Sequence, residues 1–78
     1  MTAAWYLAIY LNNQGSWVQK NERAISETMC LQQARWKWQD YWASGKPDDN
    51  DMRLQCYSDD WKTRYWIRCT KSGSCSIK

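Results

Sequence analysis

Four cysteines, a run of carboxylates and a row of cations around a tryptophan are the residues of this chain whose types and spacing suggest chemistry. Cys30, Cys56, Cys69 and Cys75 stand 26, 13 and 6 positions apart. A zinc site built from all four thiolates is disfavoured, because no C-x2-C or C-x4-C pair occurs and the chain has no histidine. Cys30, Cys56 and Cys69 fall on expected core faces, so buried free thiols acting as small apolar groups are the simplest reading. One or two disulfides are the close alternative; the spacing admits Cys69–Cys75 and Cys30–Cys56 without selecting either. Asp48, Asp49 and Asp51, with Asp59 and Asp60, carry charge enough for calcium. They lack the alternating aspartates, glycine and distant glutamate of an EF-hand loop, and a solvated loop is expected.

Catalysis has little to work with. Without histidine, proton transfer would fall to carboxylates, Lys, Tyr or Cys. The carboxylates sit in expected loops, and a cysteine nucleophile has no evident base beside it. Gly15, Gly45 and Gly73 are the three glycines and stand too far apart to cradle a phosphate. The chain is expected not to be an enzyme, and to need no cofactor, metal or small-molecule substrate.

Binding is the better prospect. Seven tryptophans and five tyrosines, with no phenylalanine, stand among 78 residues. Such side chains combine an apolar body with a polar handle and suit surfaces that are wet in one state and dry in another. The net charge of +3 is uneven: residues 52–78 hold six basic and two acidic groups. That surplus permits nucleic-acid contact without demanding it.

The elements that must position these groups follow from periodicity. Residues 4–12 alternate, with Trp5, Leu7, Ile9 and Leu11 on one side and Tyr6, Ala8 and Tyr10 on the other, as in a central strand covered on one side and partly covered on the other. Asn13 to Ser16 supplies turn chemistry, and Trp17 to Lys20 is a short return strand. Ser26 is placed to cap a helix running to Ser44, with Glu27 in its first turn. Cys30, Ala34, Trp38, Tyr41 and Trp42 form its apolar stripe. Gly45 and Pro47 end it. Met52 to Ser58 and Trp61 to Thr70 alternate again as a hairpin. Residues 71–78 read as a polar tail, held only if Cys75 is bonded.

The expectation is a single α+β domain over residues 1–78, with a three- or four-stranded antiparallel sheet and one helix packed on one face. The apolar opening is too short to span a membrane and lacks the basic start and cleavage site of a signal peptide. A cytoplasmic location, with no membrane partner, is therefore expected.

On the last strand Lys62, Arg64, Trp66 and Arg68 project to one side at about 6.5–7 Å intervals. Fixed charges around an indole suit a nucleic-acid backbone with a stacked base, or an acidic protein partner. Arg53 and Tyr57 on the neighbouring strand would extend this strip. A secondary patch is Arg35-Trp36-Lys37 on the helix, since Trp36 and Trp38 cannot share one buried stripe.

The order of Ala3-Ala4-Trp5-Tyr6, Gln33-Ala34-Arg35, Met52-Arg53-Leu54 and Arg64-Tyr65-Trp66 resembles that of small phage-encoded anti-CRISPR proteins acting on type I-F surveillance complexes. The resemblance implies a strand–helix–hairpin fold and a non-enzymatic inhibitor in a bacterial host. Such a protein would bind a subunit of a nucleic-acid-handling complex and keep the target nucleic acid out. These proteins share no functional motif, so no residue role is carried over from them. Two alternatives rest on the residues alone: a module binding nucleic acid directly through the basic, Trp-bearing strand face, and an exported, disulfide-stapled binding domain.

Overall fold

A computed structural model describes residues 4–78. Met1, Thr2 and Ala3, which belong to the apolar opening and to the resemblance noted above, lie outside the described residues. Two long strands, β1 (Trp5–Asn13) and β2 (Ser16–Ala24), form a hairpin. They are followed by the helix α1 (Glu27–Ala43) and by β3 (Met52–Ser58), β4 (Arg64–Cys69) and β5 (Cys75–Ile77). All neighbours pair antiparallel in the order β2-β1-β3-β4-β5. Among the described residues the result is one five-stranded sheet with one helix across it. No helix among the described residues is long and apolar enough to cross a membrane.

The β1–β2 hairpin turns on Gln14 and Gly15, both at positive φ (54° and 90°). This mirror-image turn matches the twist of the flanking strands. From it, nine consecutive pairs run from Asn13–Ser16 to Trp5–Ala24. β2 thus extends well past Lys20, where the expected strand ended. Its second half, Asn21-Glu22-Arg23, has no apolar alternation to announce it. The backbone ladder to β1 makes it a strand, and an edge position spares its side chains from burial.

Ser26 caps α1, its hydroxyl accepting from the Met29 N–H at 3.1 Å, and Gly45 ends it at φ 86°. Cys30, Ala34, Trp38 and Tyr41 are buried against Leu7, Ile9, Leu54, Cys56 and Ile67. Burial of each large side chain contributes about 1.5–3 kcal/mol. Two disulfides staple this core: Cys30–Cys56 joins α1 to β3, and Cys69–Cys75 joins β4 to β5. The free-thiol reading is therefore corrected; the core faces that suggested inert thiols bring the sulfurs into bonding range instead.

The segment 71–78, expected as a polar tail, turns back and pairs as β5. Gly73, at φ 100°, donates its N–H to Thr70 O at 3.0 Å, and the Thr70 N–H reaches Ser74 O at 2.7 Å. β4 starts at Arg64, not at Trp61. Ser58 accounts for the delay: its backbone N–H bonds Thr63 O at 3.0 Å and its carbonyl takes the Trp61 N–H at 2.9 Å. Trp61, Lys62 and Thr63 complete a turn before the strand begins.

Where β3 and β4 part company, indoles replace the ladder. Their pairing stops at Leu54–Ile67. Trp66 O accepts from Lys78 N at 3.0 Å on the far edge, so by alternation Ile67 O and Cys69 O face β3. Trp38 Nε1 donates to Ile67 O at 2.9 Å and Trp42 Nε1 to Cys69 O at 3.0 Å. The Ile67 carbonyl already faces its ladder partner Leu54, so Trp38 adds a second donor there; Cys69 lies beyond the ladder, and Trp42 supplies the donor its buried carbonyl would otherwise lack.

Candidate functional site: an aromatic and arginine sheet face

The helix covers one face of the sheet; the other face is left to side chains alone. Register fixes who stands there. Arg23, Tyr6, Tyr57 and Arg64 form one row across β2, β1, β3 and β4, and Asn21, Ala8, Gln55 and Trp66 form the next. Gln19, Tyr10 and Arg53 form a third. Trp17 stands beyond them at the start of β2.

Rings lie over this face rather than standing off it. Tyr6 stacks on Tyr57 at 5.4 Å between centroids, and Trp61 stacks on Tyr57 at 4.4 Å and 8°. Trp66 reaches across β3 to Tyr10, 5.8 Å away. Beneath them Ala8 is only 1% exposed, although no helix covers it. The outer indoles still present broad surface to solvent: Trp61 is 54% exposed and Trp66 46%. Arginines accompany them. The Arg64 guanidinium sits 5.9 Å from the Trp61 ring, and that of Arg53 5.5 Å from Trp17.

No outward position of β1 to β4 carries a carboxylate. Glu22 points to the helix side, 3.1 Å from Lys37 Nζ. Two acids do approach: Asp51, just ahead of β3, accepts from Asn12 Nδ2 at 3.4 Å, and Asp49, from the same loop, pairs with Arg68. The hydrogen bond from Arg68 holds the Asp49 carboxyl below the usual carboxylate range, with the charge of Arg68 adding to it. Tyr41 anchors that loop, donating its hydroxyl to Asp48 O at 2.6 Å and accepting from Asp51 N at 3.3 Å. Burial pushes the Tyr41 hydroxyl up, and the neighbouring aspartates add to the effect. Between the parted strands lies a cleft of about 410 Å³, lined by Trp66, Arg53 and Arg68 on the outside and by Trp38 and Leu54 within.

The expected strip is thus partly assembled. Arg64, Trp66 and Arg68 share the outer face of β4, with Arg53 close by on β3. Lys62 lies in the turn ahead of β4 and leaves the row, because Ser58 holds that turn. Arg68 is not a free cation, since the acidic loop folds back onto it. Tyr57 is 8% exposed and serves as the floor beneath Trp61, not as a contact surface; burial raises its hydroxyl pKa. Arg35, Trp36 and Lys37 ride on α1, on the opposite layer, and cannot touch a ligand held by β4. There Lys37 is bridged to Glu22, and Arg35 borders a second cleft beside the β4–β5 hairpin.

Sequence reasoning left out Tyr6, Tyr10, Trp17, Arg23 and Trp61. Tyr6 and Tyr10 were legible as the second face of an alternating strand. Trp17 and Arg23 needed the full length of β2, and Trp61 needed the turn that folds it over Tyr57. Comparison with protein families, with curated proteins and with solved structures finds no match to this chain.

Proposed function

We propose that this protein is a non-enzymatic binding module that takes single-stranded nucleic acid on the outer face of its sheet. The observation that carries the reading is the set of half-exposed indoles on one face: Trp17 and Trp61, each under an arginine, and Trp66, which lines a cleft with Arg53 and Arg68, over strands whose outward positions bear no carboxylate. Bases stack on such rings whatever their sequence, while guanidinium groups follow the phosphates. Single strands fit because their base faces are free; a duplex hides them, and a broad sheet face does not enter a groove. Arg23, Arg53 and Arg64 are the phosphate partners, with Arg68 joining once it leaves Asp49.

The inhibitor reading uses the same face and gains support from its Trp and Arg anchors, the residue types that dominate protein interfaces. Charge weighs against its original form. A surface that handles nucleic acid is itself cationic, so four arginines would be repelled from it, and the target would have to offer an acidic patch. The two disulfides support action in an oxidising compartment over the bacterial cytoplasm.

The test is tryptophan fluorescence titrated with oligothymidylate, a matched duplex, and polyphosphate, which carries charge but no bases. Quenching by the oligonucleotide, with a log–log salt slope of about −0.7 per phosphate contacted, is the expected result. Trp66→Ala should weaken binding by about 1–3 kcal/mol. Equal binding of oligonucleotide and polyphosphate would remove base stacking from the account. Indifference to all three, with capture of an acidic protein, would favour the inhibitor.

A further inference from the structure

Among the described residues no strand pairs with the outer edge of β2, which is long and regular. Over nine residues it has no proline, glycine or bulge, and its register to β1 is unbroken. Natural sheets seldom leave such an edge open, because its unpaired N–H and C=O groups template another strand. Which groups those are follows from the hairpin. Asn12 N bonds Asp51 O at 2.8 Å on the β3 side. By alternation Asn13 and Ser16 face each other across the turn, and the backbones of Trp17, Gln19, Asn21 and Arg23 point to solvent.

We infer that two copies of this chain pair antiparallel along β2, about a two-fold axis at Asn21. Self-complementarity selects this register. It sets Lys20 opposite Glu22 of the second copy, twice over, and brings Gln19 to Arg23. Centring the pair one residue either way would oppose Lys20 to Lys20 or Glu22 to Glu22, and like charges directly opposite are destabilising. The same register lays Trp17 beside Ile25 of the other copy. Ile25 is 85% exposed in the single chain, the most exposed large apolar residue among those described. Val18, also exposed, meets Ala24.

An antiparallel edge pairing of this kind has its two-fold perpendicular to the sheet. Both helices then lie on one side and both aromatic faces on the other, forming a ten-stranded sheet with one continuous outer surface. The contact is isologous and closes on itself, so it makes dimers and not fibres. It does not depend on what the outer face binds.

Sedimentation or light scattering of the oxidised protein at micromolar concentrations tests the pairing, with a mass twice that of the chain expected. Asn21→Pro removes no backbone hydrogen bond of the fold itself, since that N–H faces solvent, and loses only the exposed side-chain bond from Gln19, but it removes the central bonds of the seam; the variant should be monomeric. Lys20→Glu and Glu22→Lys should each be monomeric alone and form a heterodimer when mixed, because the mixture restores opposite charges at the seam. Should Asn21→Pro fail to fold, as circular dichroism would reveal, the mixing experiment decides. A monomeric wild type, or a dimer indifferent to all three substitutions, overturns the inference.

Discussion

Trp61 holds its backbone at φ 60°, a region that bulky residues avoid. Strain of this sort persists where the surroundings compel it, and it concentrates at binding sites. Here the left-handed turn lays the indole flat on Tyr57, with its other side to solvent. Trp61→Gly would relieve the backbone by about 1 kcal/mol while losing a ring stack worth about 0.5–1.5 kcal/mol. Stability in urea should hardly change, whereas oligonucleotide affinity should fall with the lost platform. Asp49 acts in the opposite sense, since it occupies Arg68. Its carboxyl is held below the ordinary value of about 3.9, so the pair supports the fold above that pH and lets go as pH falls through the depressed value. Asp49→Asn frees the guanidinium at neutral pH. Binding of single strands should tighten, and the salt slope should steepen by about 0.7, the increment of one phosphate.

At the scale of elements, the joint between α1 and β4 is the telling one. The β3–β4 ladder ends at Leu54–Ile67; Trp38 adds a donor to Ile67 O there, and Trp42 serves Cys69 O beyond it. Trp42→Phe keeps most of the ring volume and removes the donor, leaving the carbonyl of buried Cys69 unpaired. A loss of about 1–3 kcal/mol is expected, read from the urea midpoint. The staples act on the same region from outside. Constraint of the unfolded chain is worth about 3.5 kcal/mol for the Cys30–Cys56 loop and about 2 kcal/mol for the shorter Cys69–Cys75 loop. The second staple also turns a polar end into an edge strand, and Trp66 O thereby gains its partner, Lys78 N.

Across the whole molecule, the seven tryptophans divide by layer. Trp38 and Trp42 pack in or against the core, Trp5 stacks on Tyr65 along the inner face, Trp36 rides on the helix, and Trp17, Trp61 and Trp66 cover the outer sheet. That division separates two surfaces that a linear reading treats as neighbours. Removing Arg35, Trp36 and Lys37 together, as alanines, should leave both oligonucleotide affinity and salt slope at wild-type values. A loss matching that of Trp66→Ala would mean that the helix layer, not the sheet, carries the site.

The sequence by itself determined the elements whose side chains are sorted by burial. α1 and β3 have one apolar face each and β1 one aliphatic and one tyrosine-bearing face, and alternation or helical periodicity reports that sorting directly; Ser26 and Gly45 mark the helix ends through backbone chemistry that is local. It also determined that Arg64, Trp66 and Arg68 share a side of β4, because alternation along a strand is geometric. Only the tertiary structure decided the rest. The second half of β2 and all of β5 are strands through pairing with a neighbour, and edge pairing leaves little trace in hydropathy. The choice between thiol and disulfide depended on which sulfurs the packing brought together. Asp49 on Arg68, Trp61 on Tyr57 and Trp66 across to Tyr10 are contacts between residues remote in the chain or turned through a bend. No spacing rule encodes them, since it is the meeting of separate elements that creates them.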